Sequence, residues 1–229
     1  MKTGSRLEVY LEVGAKRTFA GALEWPGWCR SGPGEDQALD ALVAYGSRYA
    51  EALRSAGSTF EAPSGTSALS VVERLAGDAT TDFGAPSIAP AADARAVDAE
   101  ELHRLRSILE ASWAALDRAA DAAEGLPLRA GPRGGGRDLP GICAHVVGAE
   151  ASYVRKIGGR PPAMDQVDRS AAGAVREVIE GAMQRAVDDG IPERGPRGGA
   201  MWSLPYFVRR AAWHVLDHAW EIEDRSVPG

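Results

Sequence analysis

The chain has 229 residues, a formal net charge of -6 at neutral pH and a charged fraction of 25%. This length allows one large domain or two small ones with a buried core, so neither disulfides nor a metal is needed merely to fold. The negative charge argues against a general binder of nucleic acid or anionic membranes, because such proteins carry a basic surface. We therefore expect small-molecule partners, no nucleic acid and no membrane.

The two cysteines, Cys29 and Cys143, are too few for a disulfide framework and lack CxxC spacing. We expect both to be free thiols in a reducing cytoplasm. The amino-terminal segment alternates apolar and polar residues and contains no long apolar run. It therefore predicts neither a signal peptide nor a membrane span, and the expected location is cytoplasmic.

The first third of the sequence predicts a small domain that contains both strands and a helix. Alternating segments at 7–13 and 18–23 predict a β-hairpin, and a turn-rich stretch follows at 25–34. Helical spacing of apolar residues over 38–53 and a strand-like segment at 68–75 complete the pattern. The sequence thus predicts two strands, a helix and a third strand.

The remaining sequence predicts a linker followed by long helices. Low periodicity and many Ala, Pro, Gly and Asp residues predict a linker at 81–97, between domains 1–80 and 98–229. Within the second domain, apolar stripes and cap signals predict four helices. They cover about 100–125, 138–157, 170–189 and 203–222. Four helices of this length predict a four-helix bundle.

Three of the four histidines fall on two of these helices. His214 and His218 are four residues apart, so on a helix they lie on one face, one turn apart. His145 is early in the second helix, and the second and fourth helices run in the same direction in an up-down-up-down bundle, so their inner faces can meet. Because imidazole binds transition metals well, the three residues predict a divalent-metal site. The alternative is that these histidines are polar residues at the edge of the core, with hydrogen bonds inside the protein and no metal.

Other residues near these histidines have possible supporting roles. Glu221 shares the stripe of His214 and His218, so it is a candidate fourth ligand or a group that orients a ring; a solvated helix-end acid is the ordinary alternative. Trp202 and Tyr206 are candidates to line a pocket mouth. His103, near the start of the first helix, is expected at the surface.

Two loops share the sequence Gly-Pro-Arg-Gly-Gly, at 131–135 and 195–199, and each precedes a histidine-bearing helix. Chance similarity between glycine-rich loops is one interpretation. The other is that both loops rim the same mouth, where Arg133 and Arg197 could meet an anionic substrate.

Residues 144–150 and 212–221 resemble the signature of the DinB/YfiT-like superfamily of metalloenzymes, over about residues 98–229. Its members are similar in having one histidine on helix two and a HxxxH pair on helix four, which bind a divalent ion, commonly zinc or nickel. The resemblance implies that His145, His214 and His218 are the ligands. The superfamily includes transferases and isomerases that use low-molecular-weight thiols, but substrate does not follow from membership.

Residues 19–28 and 34–38 resemble the strand, Pro-Gly loop and acid-started helix of the HicB-like domain, a small ββαβ module. In antitoxins that module binds a toxin. For this chain we expect only that the domain interacts with a partner or covers the substrate. The expected fold class is therefore α+β, with a HicB-like domain followed by an all-α DinB-like four-helix bundle.

These observations lead to one main hypothesis of function. We expect a metal-dependent DinB-family enzyme, a thiol-dependent S-transferase or isomerase that acts on a small electrophile. A metal-dependent hydrolase, or a non-catalytic binding or regulatory protein with a structural metal, is the alternative. A site closed by Glu221 would favour the structural metal. We also expect a homodimer, because bundles and small sheets offer apolar faces for symmetric pairing.

Overall fold

The computed structural model describes residues 6–130, 136–196 and 198–226. It divides into two compact units, residues 1–95 and 96–229. The first contains a four-stranded sheet with short helices and the second contains long helices, so the protein belongs to the mixed α+β class.

The sheet of the first unit has the order β3-β2-β1-β4. Its strands are β1 Leu7–Val13, β2 Thr18–Ala22, β3 Cys29–Gly32 and β4 Leu69–Ala76. The predicted hairpin is present as the antiparallel pair β1 and β2, and β4 lies parallel to β1. The sequence did not predict β3, which pairs antiparallel with β2 inside the stretch expected to form turns. Its four residues lie among glycines and prolines, which hide so short a strand.

Two helices, α1 Glu35–Ala44 and α2 Gly46–Ala52, replace the single helix expected at 38–53. Helix α1 contacts β2 and β3. The indole Nε1 of fully buried Trp28 donates to the Leu42 carbonyl, and the Tyr49 hydroxyl donates to the Pro26 carbonyl. The core of this unit is thus held by polar as well as apolar contacts.

Much of the expected linker is part of the first unit. The end of a short helix, α3 Ala79–Phe83, and a 3-10 helix, Ala91–Ala94, fall within it. The fully buried carboxylate of Glu12 accepts hydrogen bonds from the Thr81 hydroxyl and from the backbone N–H groups of Ser87 and Ile88. Because a buried carboxylate requires such partners, these contacts explain why residues 81–95 lie in the first unit.

The second unit contains four long helices: α4 Ala99–Ala122, α5 Leu139–Tyr153, α6 Ala172–Asp188 and α7 Leu204–Arg225. Asp98 and Asp138 cap the amino termini of α4 and α5 by accepting from the backbone N–H groups of Glu101 and Gly141. Helices α4 and α5 each contact both α6 and α7. None of the described helices is long and apolar enough to cross a lipid bilayer.

Helices α5 and α7 are antiparallel, which corrects the parallel arrangement expected from an up-down-up-down order. The Trp202 N–H, just before α7, donates to the Lys156 carbonyl, just after α5. At the other end of the pair, Arg225 donates to the carbonyl of Arg137, just before α5. The connection from 154 to 171 is long enough to return along the unit, so α5 and α6 need not be antiparallel neighbours.

Helix α7 lies at the centre of the second unit. Most of its side chains are buried, including the polar residues Arg209, His214 and Arg225. Buried polar side chains require hydrogen-bonding partners or ligands, so this helix is where a functional site is expected. Both cysteines are free and buried, as expected for thiols that form no disulfide.

Candidate metal centre

His145, His214 and His218 meet between α5 and α7. One ring nitrogen from each lies within 4.8 Å of the others, and the Nε2 atoms of His145 and His214 are 3.1 Å apart. The spacing of four places His214 and His218 one turn apart on α7, with ring centroids separated by 4.7 Å. The structure therefore brings together the three residues that the sequence singled out. His103, the fourth histidine, is exposed on α4.

Burial favours the neutral form of two of these rings. Burial, followed by the charges of His218 and Arg137, lowers the pKa of His145 to about 4. His214 is only 6% exposed, and burial, followed by the same neighbouring charges and that of Arg210, holds its pKa well below the usual range. Neutral imidazole has the free lone pair that a metal ligand needs.

Glu221 orients His218. The Nδ1 atom of His218 lies 2.7 Å from Glu221 Oε2, and because an ionised carboxylate only accepts, Nδ1 carries the proton. The Nε2 atom of His218 then has the free lone pair. The hydrogen bond from His218, followed by that from Arg225, lowers the pKa of Glu221. Both carboxylate oxygens accept hydrogen bonds, so Glu221 connects His218 to Arg225, an arrangement typical of a group that orients a metal-binding ring.

Arg225, which the sequence analysis missed, holds Glu221 from the other side. Its guanidinium donates to Glu221 Oε1 and to the carbonyls of Arg129 and Arg137. Gly136 lies so close that an added Cβ would come within 2.8 Å of Arg225 Nη2, and its φ of +138° favours glycine. The segment preceding α5 is thereby tied to the end of α7. No local pattern signals this contact, because it joins residues 88 positions apart.

Aromatic side chains border the cluster on another side. The Tyr153 ring lies 5.8 Å from that of His214, and Trp202 lies 5.3 Å from Tyr153 and 5.1 Å from Tyr206. Trp202 and Tyr206, expected at a pocket mouth, are thus connected to the histidines through Tyr153. They act as packing residues behind that ring.

Arg210 adds a positive charge near His214. Its guanidinium lies over the rings of Trp213 and Tyr153, at 4.6 and 5.2 Å from their centroids. Its buried Nη1 atom has no hydrogen-bond partner among the described residues. Cation–π contacts compensate in part for this burial.

Arg133 and Arg197, proposed to meet an anionic substrate, lie outside the described residues. The described residues beside the two loops border different cavities. Ala130 and Gly136 line one of about 850 Å³, whereas Gly195 and Gly199 line another of about 690 Å³. The antiparallel order of α5 and α7 puts the described flanks at opposite ends of these two helices.

The donor set fits a divalent ion. Nitrogens bonded to one tetrahedral zinc ion at about 2.1 Å lie about 3.4 Å apart. The Nε2 atoms of His145 and His214 are 3.1 Å apart, and the ligand nitrogens of the three histidines all lie within 4.8 Å of one another. Two of the rings are held neutral, and the third has its outer nitrogen fixed by a carboxylate.

Comparisons of this chain with protein-family models, curated proteins and solved structures found no match. The functional proposal consequently depends on the geometry of the three histidines.

Replacing Glu221 by glutamine is expected to weaken zinc or nickel binding by about 10- to 100-fold. The variant keeps the size of the side chain but removes the negative charge that fixes the His218 tautomer. Competition with a chromogenic chelator measures the change. The matched control is Glu223→Gln on the exposed face of the same helix end, which should bind metal as the wild type does. Equal affinity in both variants would show that Glu221 has no orienting role.

Proposed function

We propose that the second unit is a DinB/YfiT-like metal-dependent enzyme, a thiol-dependent S-transferase or isomerase acting on a small electrophilic substrate. The observation that carries this proposal is the convergence of three imidazole nitrogens within 4.8 Å of one another. Three histidines from two helices, with a carboxylate behind one of them, form a ligand set typical of zinc or nickel.

The geometry favours a catalytic over a structural ion. Structural zinc sites are closed by four protein ligands, whereas catalytic sites have three and keep a position for water or substrate. The cluster offers three ligands among the described residues. Glu221, the candidate for closure, uses both oxygens for His218 and Arg225. An open position is therefore expected.

The protein side chains around the site would prepare a nucleophile. When bound, a divalent ion supplies the Lewis acidity that lowers the pKa of a thiol or of water. His218 is held in one tautomer by Glu221, and Tyr153 packs against His214. The positive charge of Arg210 lies close enough to lower the pKa of His214, so it would also favour an anionic nucleophile.

Hydrolysis is the second candidate, because the same site can activate water in place of a thiol. The distinction depends on which nucleophile reaches the open position. The third candidate function is that of a binding or regulatory protein with a structural metal. A fourth protein ligand that closes the metal site would favour this function.

We also propose that the first unit is a HicB-like domain. Its hairpin, following helix and parallel strand β4 support this, although β3 is an additional strand. Strands β3 and β4 form the sheet edges, and Val72 on β4 is 49% exposed. Edge strands can pair with an added strand, so a protein partner at this sheet would be consistent with an interaction role.

A conjugation assay tests the transferase proposal. Zinc- or nickel-loaded protein is mixed with a bimane electrophile and each of several low-molecular-weight thiols, and the rate is compared with that of the metal-free protein. We expect metal-dependent conjugation with at least one thiol. Turnover of ester or amide substrates without any thiol would favour the hydrolase instead. Absence of thiol-dependent turnover in metal-loaded protein would remove the transferase proposal.

A further inference from the structure

Two segments of the backbone form a cavity of about 690 Å³ beside the end of α5. One segment is the 3-10 turn Val154–Ile157 with the residues that follow it to Pro161, and the other precedes α7. The Trp202 N–H donates to the Lys156 carbonyl and so joins the two segments. None of the three histidines lines this cavity, so it is separate from the candidate metal centre. Its volume is within the range of pockets that bind small molecules.

Glycines form part of both walls. Gly158 and Gly159 lie on the segment after α5, and Gly195 and Gly199 lie on the segment before α7. The Gly195 N–H donates to the Gly199 carbonyl, which holds the second segment in a tight turn. Because glycine has no side chain, a ligand in this cavity can approach the backbone closely.

The charged side chains in the wall of this cavity are all positive. Arg155, Lys156 and Arg160 line it, and no acidic side chain is among the described residues that do so. The cavity of about 850 Å³ differs, because Glu124 and Asp138 lie in its wall beside arginines. In a chain with a net charge of -6, three cations without an acid are a local exception. Cations held together repel one another, so this cavity favours an anion.

Two of these cations are available to a ligand. Arg155 and Arg160 are exposed, and their guanidinium groups have no hydrogen bond or ion pair with another described residue. Lys156 Nζ donates to the Ala200 carbonyl at 3.3 Å, which uses one of its three N–H donors. It also faces the second segment, since a Cβ added at Gly199 would lie 4.0 Å from this nitrogen. The wall therefore offers many unused donors on three positive side chains.

We propose that this cavity binds a phosphate group, either on a small organic molecule or as the free ion, through Arg155, Lys156 and Arg160. A phosphate group carries close to two negative charges and at least three acceptor oxygens, whereas a carboxylate has one charge and two oxygens. Three cations with unused donors therefore match phosphate better, and the planar guanidinium can bind two of its oxygens at once. The inference does not depend on the proposed function of the histidine cluster.

Isothermal titration calorimetry of metal-free protein with inorganic phosphate and with ribose 5-phosphate tests the proposal. Ribose is the matched control without phosphate. We expect both phosphate ligands to bind one equivalent, with an affinity that falls as salt screens the exposed charges, and ribose not to bind. Tighter binding of the ester would identify an organic phosphate as the ligand, whereas equal or tighter binding of inorganic phosphate would identify the free ion. Absence of binding by both phosphate ligands would overturn the inference.

Variants of the wall locate the binding site. Arg155→Gln and Arg160→Gln should each weaken phosphate binding by about tenfold, as expected for the loss of one charged donor. Gly199→Asp should abolish binding, because its carboxylate would lie beside Lys156 Nζ and occupy the same cations. The matched control is Arg118→Gln, which removes a positive charge from the exposed surface of α4 and should bind as the wild type does. Circular dichroism verifies that each variant is folded.

The variant His145→Ala distinguishes this cavity from the candidate metal centre, which could itself bind phosphate if metal remained. His145→Ala should bind both phosphate ligands with wild-type affinity, because His145 does not line the cavity. Loss of binding in His145→Ala would place the ligand at the histidines and overturn the inference. Wild-type affinity in both Arg155→Gln and Arg160→Gln would overturn it as well.

Discussion

Replacing His145 by alanine should lower the affinity for zinc or nickel by about 100- to 1000-fold, because one of three ligand nitrogens is lost. His145 is only half-buried, so the helices should remain folded, which circular dichroism can verify. Elemental analysis after equilibration with zinc or nickel measures stoichiometry, and chelator competition measures affinity. The wild type should bind one equivalent and the variant far less at micromolar metal.

The matched control is His103→Ala, which removes the exposed histidine of α4 and should bind one equivalent. Thermal unfolding gives a second measurement. A ligand present at about 1000 times its dissociation constant stabilises the folded state by about 4 kcal/mol, so metal should raise the melting temperature of the wild type much more than that of His145→Ala. One equivalent bound with equal affinity by both variants would show that His145 is no ligand.

The histidine pair on α7 could be predicted because helical periodicity is a local property. A separation of four residues places His214 and His218 on one face in any helix. The meeting with His145 was predicted for the wrong reason, since α5 and α7 are antiparallel. The three rings still meet because His145 lies near the middle of α5 and faces the middle of α7 whether the two helices are parallel or antiparallel. Helix order depends on where the 154–171 connection leads, which periodicity does not encode.

Features that depend on distant contacts were beyond the sequence. Strand β3 is stabilised by pairing with β2 and by contact with α1, whereas its own composition resembles a turn. Arg137 and Arg225 look like ordinary helix-flanking arginines until the fold brings them together. Glu150 looks like a surface acid on α5, and only the packing of α4 and α6 shows that it is 1% exposed.

Burial of Glu150 makes the stability of the second unit depend on pH. Its Oε1 atom accepts from the Trp113 indole, whereas the buried Oε2 atom has no hydrogen-bond partner among the described residues. Nearby Arg176 is paired with Asp117 at 2.6 Å. Burial raises the pKa of Glu150 to about 7 from a usual value of 4.5, against the opposing effects of Trp113 and Arg176. The folded state thus binds a proton that the unfolded state releases between these values.

Because the folded pKa is raised, the contribution of Glu150 to stability is fully present below about pH 4.5 and is lost as the pH rises through about 7. The shift corresponds to about 3 kcal/mol of unfolding free energy. In metal-free protein His145 and His214 act in the opposite direction, because their pKa values are lowered in the folded state. Their contribution to the stability of the protein is therefore lost as the pH falls below about 6.5. The total pH profile therefore combines both effects.

Comparison with Glu150→Gln isolates the carboxyl group, because the histidines are common to both proteins. Urea unfolding of metal-free protein, followed by the helical circular dichroism signal, should give similar stabilities at pH 5. At pH 8 the variant should be more stable by roughly 2 to 3 kcal/mol, since the neutral amide avoids the buried charge. The exposed Glu177→Gln on α6 should show no such difference. A constant difference between wild type and Glu150→Gln across this range would mean that the carboxyl group does not titrate within it.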